Sequence, residues 1–227
     1  MFSLPLPCHA GVMKLNLSAD EVLTTTRSVR KRLDFERPVE RSVVEECLEI
    51  ALQAPSGSNT QGWHWIVVED AATKKAIADI YKENFSIYAN AARPAYQEGD
   101  LRGEQAGRVT ASATYLADNF HRVPLLLIPA ISGRFDNLPA FAGASVWGSL
   151  LPAVWSFMLA ARERGLGSAW TTIHLMNDGE RKAAEILGVP YESVTQAGLF
   201  PIAYTIGTDF KVAKRMPLDP VLHWDQW

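Results

Sequence analysis

Cysteine is scarce. The 227 residues include two, Cys8 and Cys47, with no CxxC pair. That excludes a disulfide-stapled fold and a cysteine-based zinc site, and a reducing cytoplasm is the compartment it fits. Cys47 falls on the apolar stripe of an expected helix and reads as a buried structural thiol. Basic residues are not in excess: the formal net charge is −3, which argues against a nucleic-acid-binding domain. We read no run of about 18 apolar residues, so no membrane span is expected. Met1 to Val12 lacks an amphipathic period and a charged n-region, and is not expected to act as a signal peptide. Residues 1–13 are expected to be a disordered or extended segment, either an extension or a start-site artefact. Internal repeats and low-complexity tracts are missing.

Several catalytic signatures are also missing. There is no GxGxxG opening a helix after a strand, no Walker A loop, no HExxH and no GxSxG. The five histidines, His9, His64, His121, His174 and His223, are scattered. They suit surface or internally bonded roles, so no metal site is expected.

What is present reads as one folded domain over residues 14–227. Ser18-Ala19-Asp20-Glu21 has the form of a capping box and opens a short helix to about Thr26. A basic loop follows from Arg27 to Pro38. Val43, Val44, Cys47, Leu48, Ala51 and Leu52 recur at helical spacing, predicting a helix over 40–54 that Pro55 ends. After a polar loop over 56–62, residues 63–69 read as a strand and 71–88 as a helix capped by Asp70. Residues 89–103, broken by Pro94, Gly99 and Gly103, read as a loop or lid, and 104–120 as a helix. Leu125 to Ile131 suits a buried strand. Residues 141–164 are apolar almost all round, the pattern of a central core helix, and Pro152 predicts a kink in it. A short strand over 168–172 comes next. The following helix, 178–187, is capped by Asp178 and stopped by Gly188-Val189-Pro190. A strand over 197–206 and a polar tail complete the chain. This irregular alternation points to an α+β or mixed α/β domain.

Two segments carry chemistry. Arg27-Ser28-Val29-Arg30 places two guanidiniums and a hydroxyl within four residues, a set that matches phosphate oxygens. The same residues suit a solvated basic loop equally well. Ala54-Pro55-Ser56-Gly57-Ser58-Asn59-Thr60-Gln61-Gly62-Trp63 is a turn of small residues that lets backbone approach a flat ligand. Its Asn59 both donates and accepts, as the edge of an isoalloxazine ring requires. An ordinary helix-to-strand loop is the other reading.

In their order and context these segments resemble the nitroreductase family of flavoproteins. Arg27 to Val68 looks like the family's Arg-Ser-x-Arg segment, helix, Ala-Pro-Ser-x-x-Asn-x-Gln-x-Trp loop and strand. Gly143 to Ala161 with Gly165-Leu166-Gly167-Ser168-Ala169-Trp170 resembles its central helix and continuation. Lys214-Arg215-Met216-Pro217-Leu218 resembles its basic C-terminal segment. The resemblance implies an α+β fold with a mixed central sheet flanked by helices, and an intertwined homodimer with FMN at the interface. Carried over by position, Arg27, Ser28, Arg30, Lys214 and Arg215 would hold the phosphate and ribityl end. Pro55, Ser56, Gly57, Ser58 and Asn59 of the second subunit would line the ring. Trp170 and Thr171 would offer backbone contacts near N5, and Asn84 would bond the pyrimidine side. The implied activity moves hydride from NAD(P)H to FMN N5 and then to a flat electrophile, a nitroaromatic or quinone, by ping-pong turnover. The flavin carries that chemistry and no catalytic side chain is needed. A non-turnover flavin-binding protein, or a flavin-fragmenting or dehalogenating enzyme on the same scaffold, are the alternatives. The chain departs from the pattern at Thr26-Arg27, where a basic doublet is common, at Trp147-Gly148-Ser149, where a polar amide pair is common, and over Tyr88 to Gly103.

Overall fold

A computed structural model of the chain describes residues 13–91, 95–136 and 138–227. The expectation for Met1 to Val12, with Cys8 and His9, lies outside the described residues. The strands are β1 (Trp63–Val68), β2 (Leu125–Ser132), β3 (Leu166–Gly167), β4 (Val194–Gln196) and β5 (Phe200–Tyr204). They form one sheet in the order β1-β2-β5-β3, with β4 paired to the far end of β2. Every pairing between these strands is antiparallel. The parallel component of the expected mixed sheet is a single bridge between Ser28 and Ser168. The strand expected over 168–172 is shorter and earlier, as β3; the one expected over 197–206 is β5 alone, and β4, which precedes it, was not expected.

The unbroken apolar run of β2 follows from its central place, which leaves only Ser132 exposed among its residues. Successive side chains alternate between two cores. Leu125, Leu127 and Ile131 meet Val43, Val44 and Cys47 of α2 (Arg41–Ala51) and Leu150, Val154 and Phe157 of α5 (Ala140–Glu163). Leu126 and Ile128 meet Ile77, Tyr81 and Phe85 of α3 (Ala71–Asn90) and Leu116 of α4 (Leu101–Asn119). Cys47 is fully buried, as expected, and burial pushes its thiol pKa up to about 12. Glu46 and Arg164 form a buried ion pair that ties α2 to the end of α5.

Local signals set the helix ends. Ser18 and Glu21 complete both halves of the capping box on α1 (Ala19–Thr25). Asp70 accepts from the Thr73 N–H at 2.7 Å. Gly188 ends α6 (Gly179–Leu187) in the left-handed region at φ 67°. Asp178 occupies the N-cap of α6 but makes no side-chain cap bond; it pairs with Arg181 instead. Asp100, inside the segment read as a loop, caps α4 through the Arg102 N–H and starts that helix earlier than expected. Helix α5 continues through Pro152. By length and composition it could cross a membrane, which corrects the reading that no such apolar run exists. Its inner face is built into the core, as the expected central helix should be.

Candidate active site

The Arg27–Arg30 segment is stitched to the chain that leaves β3. The Val29 N–H donates to the Ser168 carbonyl at 2.8 Å, and Ser28 bridges to Ser168. Gly167 permits this approach. A Cβ there would lie 2.6 Å from Thr205 Cγ2 and 3.0 Å from Val29 Cβ. Arg27–Arg30 and Ser168–Thr171 thus run side by side, although about 140 residues separate them in sequence.

A cavity of about 550 Å³ opens beside this seam. Arg30, Ala169, Trp170, Thr171 and Ile173 line its inner side, with Phe85 and Tyr88 of α3. Tyr96 and the α4 residues Arg102, Ala106, Val109 and Ala113 close the outer side. Two arginines and no carboxylate are among the lining residues. The guanidinium of Arg30 bonds the Ser112 hydroxyl at 3.3 Å, its one hydrogen bond among the described residues. Arg102 is held by Asp100, Nη2 to Oδ2 at 2.7 Å, and this pairing lowers the Asp100 pKa. Behind the wall, burial raises the Tyr81 phenol pKa, against the opposing effects of a Thr171 hydrogen bond and the Arg30 charge.

Of the residues singled out in the sequence, Arg30, Trp170 and Thr171 meet at the cavity. Thr171 corrects one expectation. Its N–H donates to Leu199 and its carbonyl accepts from the Leu199 N–H, so its backbone is already engaged within the sheet. Arg27 lies on the same seam, its Nη1 donating to the Lys211 carbonyl, and Ser28 is exposed beside it. Lys214 and Arg215 are exposed on the tail, away from the lining. Asn84 is placed inside the protein instead of on the cavity. It is buried; its Nδ2 donates to the Met176 carbonyl at 2.8 Å and its Oδ1 accepts from Asn177 at 3.1 Å. It fastens the 174–177 turn behind the cavity wall.

The Pro55–Asn59 turn does not line this cavity. It sits on α5: the Gly57 N–H donates to Ser149 Oγ at 2.8 Å, and Ser149 Oγ donates to the Ser145 carbonyl at 2.7 Å. Ser58, Asn59 and Gln61 adopt left-handed backbone, with φ 51°, 56° and 48°. Such conformations are strained for Ser and Gln and concentrate at functional turns. Ser58 to Gln61 are exposed.

Sequence reasoning missed the outer wall, because Tyr96 and Arg102 lie in a stretch without periodicity. It also missed Arg162 and Ser168. Both are buried beside Arg27, and Arg162 Nη1 and Ser168 Oγ have no hydrogen-bond partner among the described residues. Arg162 otherwise binds the Thr208 carbonyl at 3.0 Å, and burial lowers its pKa.

The fold and cavity define an α+β protein with an electropositive, aromatic-walled ligand site. The model of the Nitroreductase family matches residues 23–204, and the chain belongs to that family. It is 42% identical over 222 residues to an NADH dehydrogenase of Thermus thermophilus, covering 92% of this chain and 96% of that protein. Among solved structures, an FMN- and NADPH-dependent nitroreductase from Sphigopyxis sp. strain HMH superposes with TM-score 0.67 at 23% identity, covering 93% of this chain and all of that one. Iodotyrosine deiodinase bound to FMN and 3-iodo-L-tyrosine matches with TM-score 0.67 at 21% identity, over 90% of this chain and 98% of that one.

Proposed function

We propose that residues 14–227 form a single FMN-binding unit. In this reading it is an oxidoreductase that takes electrons from NAD(P)H and delivers them to a flat electrophile of nitroaromatic or quinone type. The observation that carries this reading is the cavity itself. Its volume of about 550 Å³ suits a small-molecule site of the usual size. Its walls are aromatic and aliphatic, and its charges are all positive. An extended aromatic ring with an anionic tail has that chemistry. The buried donors left over at Arg162 and Ser168 place further polar capacity under the Arg27–Arg30 seam.

FMN, when bound, supplies the two-electron redox chemistry, and the protein supplies binding, orientation and a dry, polarised setting. Arg27, Ser28 and Arg30, with Lys214 and Arg215 of the tail, would hold its anionic end through charge-assisted bonds. Arg30, which has no carboxylate partner among the described residues, would stabilise negative charge near the ring. Trp170 would contact the ring from the inner wall. Thr171 serves by fixing that wall to Leu199. We place the partly exposed Pro55–Asn59 turn of a second copy over the ring, which makes the homodimer the working unit and the cytoplasm its setting. In this reading nicotinamide and acceptor use the cavity beside the seam in turn, which is ping-pong turnover.

The test is an absorption spectrum of the purified protein, then anaerobic titration with NADH and NADPH and reoxidation by a nitroaromatic or a quinone. A yellow protein bleached by nicotinamide and restored by acceptor is expected. Protein that stays colourless after incubation with FMN would overturn the reading. Arg30→Ala should weaken FMN binding by roughly 10- to 100-fold, the loss of one charge-assisted contact, measured by flavin fluorescence titration.

A further inference from the structure

Arg30 belongs to the inner wall and is absorbed by the cofactor reading. Arg102 is not. It stands on the opposite wall, at the first turn of α4, in a lining that contains no acid. Its guanidinium is oriented by a neighbouring carboxylate. Asp100 takes its Nε at 3.1 Å and its Nη2 at 2.7 Å, while Nη1 has no partner among the described residues. The guanidinium also lies 5.0 Å from the centre of the Tyr96 ring. Tyr96 is in turn seated on a glycine: a Cβ at Gly103 would come within 3.0 Å of Tyr96 Cβ. The aromatic ring and the oriented cation are therefore built as one unit, with a second-row carboxylate and a glycine supporting it.

We propose that Tyr96 and Arg102 select the acceptor, favouring a flat aromatic ring that carries a carboxylate. The apolar walls and Tyr96 would take the ring, and the free edge of the Arg102 fork would take the carboxylate, a geometry guanidinium matches well. Asp100 orients the fork without closing all of it. This inference rests on the flavin oxidoreductase reading and assigns its acceptor class. The nicotinamide donor also carries anionic groups, and the experiment separates the two sources.

FMN content is read first in wild type, Arg102→Gln and Arg102→Lys. Oxidised holoenzyme is then titrated with benzoate and with benzyl alcohol, following the flavin spectrum. Steady-state KM is measured for 4-nitrobenzoate, nitrobenzene, NADH and NADPH. The expected result is equal FMN content, and a Kd for benzoate raised at least about tenfold in Arg102→Gln. Benzyl alcohol binding should change less than about twofold, and Arg102→Lys should recover part of the benzoate affinity. KM should rise for 4-nitrobenzoate and hold for nitrobenzene and both nicotinamides. Benzoate binding unchanged in Arg102→Gln overturns the proposal, as does an effect confined to the nicotinamide KM. A parallel loss of benzyl alcohol binding would reduce Arg102 to a structural role and overturn it as well. A wild type that retains no flavin would instead overturn the oxidoreductase reading.

Discussion

Side chains near the cavity differ in how they carry charge, and burial explains the difference. His174 is fully buried behind the wall, bonded to Gln196 at 3.3 Å. Burial lowers its pKa from 6.5 to about 4. The unfolded chain therefore binds a proton that the fold refuses between those values. Stability from this residue is present above about pH 6.5 and is lost as pH falls toward 4, by about 3 kcal/mol in all. Urea unfolding of wild type should show a lower midpoint at pH 4.5 than at pH 7. His174→Gln should shrink that difference, and an equal drop in both proteins would assign the acid sensitivity to other groups. Nothing around His174 in the sequence separated it from the four other histidines, because its partner Gln196 lies on β4, far along the chain.

Elements are joined here at points where side chains are absent. Gly167 lets β3 and the Arg27–Arg30 segment touch. A methyl group there has no space against Val29 Cβ and Thr205 Cγ2, and forcing one in should cost roughly 1–3 kcal/mol. Gly167→Ala should thus lower the thermal midpoint and weaken FMN binding together, since the seam is one wall of the site. Retained flavin affinity at a lowered midpoint would separate the seam from the cofactor. The glycine and the Arg-Ser-x-Arg segment were both legible in the sequence, but their contact was not. The same holds for Ser149, which stands where the family pattern differs and proves to be the acceptor for the Gly57 N–H.

At the scale of the molecule, the cavity is open to the surface and large apolar side chains are exposed elsewhere. Phe141, Ala144, Gly148, Pro152 and Trp155 are exposed along one face of α5 at helical spacing, with Phe141 80% exposed. Trp224 and Trp227 stand out on the tail at 81% and 102%. A continuous apolar face of this kind marks an association surface, and a two-fold pairing would present the same face on both copies. The partly exposed Pro55–Asn59 turn sits on this same helix. Sedimentation should therefore give a dimer. Phe141→Glu combined with Trp155→Glu should shift it to monomer and release FMN with it. A flavin-loaded monomer would sink the shared site.

Composition and local pattern determined an α+β or mixed α/β class, the helix ends at Ser18, Asp70 and Gly188, the buried place of β2, and the Arg27–Arg30 segment that brings Arg30 to the cavity. Those properties depend on neighbours a few residues apart, through capping, turn geometry and hydrophobic period. Tertiary structure alone decided that Arg30 faces the cavity while Asn84 is sealed behind it, that the Thr171 backbone is spent on Leu199, and that Tyr96 and Arg102 form the outer wall. Each of these depends on partners brought together across the chain by the packing of α3 and α4 against the sheet, and short-range pattern carries no record of that.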